Sequence, residues 1–225
     1  MQIAVLGTGS VGRALAARLD ELGHDVTLGT RSPAATLSRS EPDPMGNPTF
    51  AVWGNDHPGV RLATFADAAA DAELVINATN GSATLEVLDA AGEDHLGGKV
   101  LVDVSNPLDF SAGFPPTLFV KDSDSLGEQV QRAFPTVRVV KALNTMTASL
   151  MVHPESLGAT TTVFICGDDP AAKAAVTALL TAMGHRDVLD LGGIEAARGT
   201  EMYLPLWLRM MGALGTGMFN IRVVR

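Results

Sequence analysis

The chain has a single cysteine, Cys166, in 225 residues. No intramolecular disulfide can form, and the apolar run around Cys166 marks it as a buried structural thiol rather than a reactive one. A reducing cytoplasm fits this usage, and the first residues enter an apolar run with no basic leader or cleavage-like site. Basic residues are also scarce. With 16 Lys and Arg against 25 Asp and Glu, the formal net charge is −9, so neither nucleic-acid phosphate nor an anionic membrane would be drawn to the surface. No apolar run reads as a membrane span. The most apolar stretch, Met202 to Phe219, is interrupted by Pro205, Arg209 and three glycines and reads as an interface helix. The five histidines (His24, His57, His95, His153, His185) are scattered, with no H-E-x-x-H and no Cys/His cluster, so a metal site has little support. A G-x-S-x-G elbow and a Walker lysine are missing too.

What remains is a chain with 46% apolar residues, enough for a full core in one large or two small domains. Its organising stretch is Met1 to Ser32. The apolar run Gln2 to Leu6 ends in Gly7-Thr8-Gly9-Ser10-Val11-Gly12, a complete G-x-G-x-x-G, and Val11, Leu15, Leu19 and Leu22 then share one helical stripe that stops at Gly23. Gly7 suits a tight turn, Gly9 the approach of a pyrophosphate, and Gly12 close helix-on-strand packing, with phosphate charge at the helix N-terminus. A second apolar run, Asp25 to Leu28, ends in Gly29-Thr30-Arg31-Ser32. An NAD site would want Asp or Glu near position 30 for the ribose 2′-OH. None is there, and Thr30, Arg31 and Ser32 offer hydroxyls and a guanidinium to a 2′-phosphate, so the expected cofactor is NADP(H). The plainer alternative is a solvated Arg31 in a polar turn.

From Pro33 to Val60 periodicity is lost, and Pro42, Pro44, Pro48 and Pro58 predict a long irregular excursion whose Phe50 and Trp53 cover the adenine, border a substrate pocket, or do neither. Strands are then expected at Val60–Ala63, Glu73–Ala78, Lys99–Val104, Val137–Ala142, Thr161–Cys166 and Asp187–Leu191. Helices are expected at Phe65–Asp71, Ser82–Ala91, Ser125–Ala133 and Ala171–Met183. Asp109 to Lys121 looks mobile, Glu195 to Leu214 should be the longest helix, kinked at Pro205, and Met218 to Val224 a short terminal strand. Alternation of this kind implies a parallel sheet with helices on both faces. Four strand ends, Gly7-Thr8, Thr79-Asn80, Ser105-Asn106 and Asn144-Thr145, would then form a polar, uncharged rim where ligands of open parallel sheets sit.

Acid–base chemistry is thin. Lys141 and Asp103 fall in neighbouring predicted strands and read as a buried ion pair ahead of a catalytic acid. Lys141 and His153 remain candidate proton donors if a carbonyl or imine is reduced. A flavin or deazaflavin ring would absorb the charge itself, leaving the protein to stack two rings.

The Gly7-Thr8-Gly9-Ser10 loop, Gly29-Thr30-Arg31-Ser32, Val139 to Thr145 and Cys166-Gly167-Asp168-Asp169, with the terminal Met211 to Gly215, resemble the deazaflavin-dependent NADP oxidoreductase family, the NADPH:F420 oxidoreductases. The nucleotide domain of that family also resembles the cytoplasmic domain of the STEAP metalloreductases. The resemblance spans essentially the whole chain. It implies that Gly7, Thr8, Gly9, Ser10 and Val11 hold pyrophosphate, Thr30, Arg31 and Ser32 the 2′-phosphate, and Ala78, Thr79 and Asn80 the ribose and nicotinamide side. Asn106 and Pro107, Ala142 to Asn144 and Thr145, and Met211 to Leu214 would line the pocket for the second reactant. The chain departs from the family at Asn144, where members commonly carry His, and at Thr79-Asn80, where a Pro-Trp-like pair is common.

The expected architecture is therefore α/β: a Rossmann-type, doubly wound, mostly parallel sheet over residues 1–192, with a small C-terminal helical extension over 193–225 for substrate pocket and dimer contact. The expected activity is hydride transfer between NADPH and a deazaflavin, F420. The alternatives are an NADPH-dependent reductase of a small carbonyl, imine or free flavin, and a non-catalytic NADP(H)-binding sensor. Met202, Leu206, Met210 and Leu214, with Trp207 and Met211 on a neighbouring face, suggest a homodimer.

Overall fold

In the computed structural model, which describes residues 1–42 and 46–225, the alternating apolar runs become strands of one twisted sheet. The strands are β1 Gln2–Leu6, β2 Asp25–Thr30, β3 Arg61–Thr64, β4 Leu74–Asn77, β5 Val100–Asp103, β6 Leu108–Asp109, β7 Thr117–Leu118, β8 Arg138–Ala142, β9 Thr162–Cys166 and β10 Asp187–Asp190. The helices are α1 Ser10–Glu21, α2 Pro33–Leu37, α3 Phe50–Asp56, α4 Phe65–Ala70, α5 Thr84–Ala91, α6 Glu93–Leu96, α7 Leu126–Ala133, α8 Ala148–Val152, α9 Pro170–Ala182, α10 Ala197–Met202 and α11 Leu204–Leu214. Eight strands line up in the order β10-β9-β8-β5-β4-β1-β2-β3, while β6 and β7 pair as a separate antiparallel ribbon. All neighbours in the large sheet are parallel except β8 and β9, which are antiparallel. Successive residues of β1 face opposite sides: Ile3 and Val5 pack with α1, α8 and α9 residues such as Leu15, Met151 and Val176, whereas Ala4 and Leu6 pack with Phe65, Leu88 and Val130. This is the expected doubly wound Rossmann-type sheet with a helical C-terminal segment. The order reverses between β1 and β4, placing a crevice beyond their carboxyl ends.

Four local expectations are corrected. The Pro33–Val60 excursion contains α2 and α3, because Ser32 and Thr49 cap them by accepting from Ala35 N and Val52 N, with Pro33 suited to the first turn. Pro44 lies outside the described residues. The expected helix Glu195–Leu214 starts later, at Ala197, and is divided into α10 and α11 at Tyr203, where Pro205, having no N–H, omits one bond; Tyr203 keeps helical dihedrals and bonds to Gly199 and Trp207, so the interruption falls where the proline kink was expected. The longest helix is α9. Asp109–Lys121 includes the β6–β7 ribbon, and Met218–Val224 forms no strand. This terminal segment instead runs beside β9, its Ile221 carbonyl accepting from Thr162 N. Among the described residues, no helix is long and apolar enough to cross a membrane. Cys166 is fully buried, and burial pushes its thiol up to about 12, the inert state expected of it.

Candidate active site

The site begins where β1 ends. Gly7 adopts φ +115°, and a Cβ there would stand 2.7 Å from the Ala78 carbonyl oxygen. A Cβ on Gly12 would stand 1.9 Å from the Gly7 carbonyl oxygen, so α1 enters against the turn at a distance open only to glycine. Gly9 occupies the N-cap of α1 and no side chain caps it, while a Cβ built on Gly9 meets nothing within 4 Å. The first turn thus lacks a side-chain cap and the backbone at Gly9 is open to close approach, a cradle suited to an anion.

Arg31 extends from the end of β2 with its side chain 74% exposed. Ser32 beside it caps α2 by accepting from Ala35 N, which leaves its O–H able to donate. Thr30 turns inward, where its hydroxyl shares a 2.8 Å hydrogen bond with that of Thr36. The guanidinium of Arg31 and the Ser32 O–H are thus the groups this corner offers, and Thr30 supports the loop from beneath.

The strand ends of β1, β4, β5 and β8 stand side by side in the sheet, so the four segments expected to form a rim do converge. Thr79-Asn80, Ser105-Asn106 and Asn144, with Gly9 to Val11 after the first strand end, line a cleft of about 480 Å3, while Gly7, Thr8 and Thr145 fall outside its lining; it is completed by Leu108 of β6 and Phe110, by Met146 to Ala148 and Met151 at α8, and by Leu204 and Trp207 of α11. The rim is internally ordered. Buried Asn77 accepts from the Thr79 hydroxyl at 2.6 Å and donates to Asp103 at 2.8 Å. Asn106 donates to the Asn144 carbonyl at 2.8 Å, and Asn144 returns a side-chain bond to Asn106 Oδ1 at 3.0 Å. Asn80 accepts from Ser82 N and holds the turn that leads into α5. Pro107 and Ala142 lie buried behind this rim and are not among the cleft-lining residues. Met211 to Leu214 also fall outside the lining, Leu214 being 60% exposed; α11 reaches the cleft with Leu204 and Trp207 of its first turn, and its later turns lie beyond the lining.

Among the described residues, none of those lining the cleft is titratable. Lys141 is 1% exposed, and its Nζ donates to Asp103 Oδ2 at 2.8 Å, Glu201 Oε1 at 2.8 Å and the Ser105 carbonyl at 2.6 Å. All three of its protons are engaged. Burial opposes the ammonium, but Asp103 and Glu201 outweigh it and hold the pKa above the ordinary lysine value. The expected Lys141–Asp103 pair thus exists as a buried triad, and Lys141 is removed as a proton donor to substrate. His153 is removed as well: it lies outside the cleft, paired with Glu155 at 3.2 Å.

Glu201 and Arg13 were not singled out in the sequence. Glu201, besides meeting Lys141, accepts from Leu126 N at 2.8 Å and Gly127 N at 3.0 Å, tying α10 to the start of α7. Its signal was the inward stripe Ala197, Thr200, Glu201, Leu204, all buried. Arg13 donates from Nε to the Thr8 carbonyl at 2.8 Å and from its guanidinium to the Pro48 carbonyl, with Phe50 beneath it at 5.4 Å. It joins the glycine loop to the segment before α3. Phe50 itself belongs to the core, Trp53 stacks on His57, and neither lines the cleft.

The sequence profile of a family described as NADP oxidoreductase, coenzyme F420-dependent, matches residues 2–107. A crystal structure from Arthrobacter sp. FB24, provisionally assigned as an F420-dependent NADP reductase, is 57% identical over the whole of both chains, with a TM-score of 0.96. The chain belongs to this family. The F420-dependent NADP reductase of Methanothermobacter marburgensis is 29% identical over 214 residues, covering 93% of this chain and 92% of its own. Metalloreductase STEAP3 of Rattus norvegicus is 30% identical over 223 residues, 97% of this chain, but the match spans only 40% of that longer protein.

Proposed function

We propose that this family member, an NADP-dependent oxidoreductase, transfers a hydride between NADPH and the deazaflavin coenzyme F420. The observation that carries this reading is the absence of any titratable side chain among the described residues lining the cleft. Hydride delivery to a carbonyl or imine must be matched by a proton from a positioned donor. A deazaflavin ring delocalises the incoming charge, so two stacked rings in an ordered, mostly apolar cleft suffice.

The uncapped N-terminus of α1 and the open face of Gly9 fit a dinucleotide pyrophosphate. When bound there, NADPH supplies the hydride. Residues Gly7 to Val11 would hold the pyrophosphate and Arg31 with Ser32 the 2′-phosphate, while Ala78, Thr79 and Asn80 edge the ribose. The mutually bonded Asn106 and Asn144 amides present a fixed polar edge, and Met146, Met151, Leu204 and Trp207 exclude water from the opposite wall. We assign residues 1–192 to cofactor binding and 193–225 to pocket closure and to a homodimer contact through the exposed Met202, Leu206 and Leu214. The lone buried thiol suits a cytoplasmic enzyme.

The test is F420 absorbance after mixing purified protein with NADPH, alongside free flavin and a carbonyl and imine panel. Protein-dependent bleaching of F420 is expected. Turnover of a carbonyl or imine without F420 bleaching overturns the reading, and NADPH binding with no turnover of any acceptor would make the protein a sensor.

A further inference from the structure

The acid missing from the end of β2 arrives from another element. Glu86, in the first turn of α5, places Oε1 2.9 Å from an Arg31 guanidinium nitrogen, and the two side chains are 70% and 74% exposed. We propose that Glu86 is a specificity-determining residue that works against Arg31, weakening the hold on NADP(H) and leaving a place for NAD(H). This rests on the assignment of Arg31 to the 2′-phosphate.

The carboxylate occupies the same guanidinium that the phosphate would use, so the two compete. Where both fit around one guanidinium they still repel, since a phosphomonoester carries about −1.5 to −2 charges at neutral pH and lies within a Debye length, about 8 Å at physiological salt. A free 2′-hydroxyl meets the opposite situation: Glu86 can accept its hydrogen bond, the role an acid at the strand end plays in NAD sites. Glu86 also helps hold Arg31 in place, but an exposed ion pair orders its partners weakly, so competition and repulsion decide the sign. The consequence is functional. NADP(H) is a co-substrate that must leave in every cycle, and a tempered grip at its adenosine end speeds that departure.

The test is Glu86→Gln, a surface change that leaves the buried packing untouched, with Kd for NADPH and NADH measured by fluorescence titration. NADPH should bind roughly three- to tenfold more tightly at low salt, NADH should bind no better, and the gain should shrink as salt rises from about 0.01 M to about 1 M. The gain should also be smaller when Glu86→Gln is made in an Arg31→Gln background. NADPH affinity that is unchanged or weaker in Glu86→Gln, while Arg31→Gln alone weakens it, overturns the role of Glu86 and leaves the Arg31 assignment standing. If Arg31→Gln leaves NADPH affinity unchanged, the assignment itself fails, and this proposal with it.

Discussion

Replacing Lys141 with Met separates a structural from a catalytic lysine. Methionine keeps most of the stem volume but donates nothing, so the bonds to Asp103, Glu201 and the Ser105 carbonyl are all lost. Two carboxylates then remain in the interior without a counter-charge. Breaking a buried ion pair from one side costs about 3–5 kcal/mol, a large share of the ~5–15 kcal/mol that holds a domain folded. With a urea m-value of about 2–3 kcal/mol/M, the unfolding midpoint should fall by roughly 1–2 M. Adding Asp103→Asn removes one of the stranded charges, so the double variant should be more stable than Lys141→Met alone, a non-additivity expected of groups in contact. Because Lys141 does not reach the cleft, Lys141→Met protein that is still folded should turn over within about tenfold of wild type, or ~1.4 kcal/mol of barrier. An unmoved midpoint together with abolished turnover would refute the structural role and restore Lys141 as a proton donor.

Other expectations are simpler to check. Arg31→Asp should weaken NADPH binding by about 1.5–3 kcal/mol or more, as loss of a charged hydrogen bond plus repulsion requires; undiminished affinity in calorimetry would put the 2′-phosphate elsewhere. Hydrogen bonds from the Arg132 guanidinium hold the Asp124 carboxyl down at about 2, against an ordinary 3.8. A depressed carboxyl contributes stability that is complete above its unfolded value and is lost as pH falls toward the folded one. Asp124→Asn should therefore lower the thermal midpoint slightly at pH 6, with the difference closing as pH falls from about 4 to about 2; a gap that persists at the acid end refutes the linkage. Leu206→Lys, on the exposed face of α11, should convert a dimer to a monomer in light scattering. Wild-type protein already monomeric at micromolar concentration defeats the interface.

What was legible in the sequence was whatever is written locally. The rim could be read because each of its strands is a short apolar run ending in polar turn residues, and the doubly wound rule places such ends together without knowledge of any contact. The caps of α2 and α3, Ser32 and Thr49, were equally local, but the prolines around them carried the opposite signal and prevailed. The antiparallel entry of β9 was invisible because either direction buries the same Val163 and Ile165 on one face and Cys166 on the other. The two acids that matter most to the site were invisible for a different reason. Glu201 stands 60 residues from Lys141 and Glu86 stands 55 residues from Arg31, and an ion pair across such separations leaves no periodicity in either segment. In both cases the cation was singled out beforehand by its motif or strand position. For the interior lysine, burial guaranteed a partner: an ammonium removed from water must be paired, so Asp103 alone was a minimum. For the exposed arginine no such guarantee exists, since water can satisfy it. Glu86 therefore had to be found in the structure.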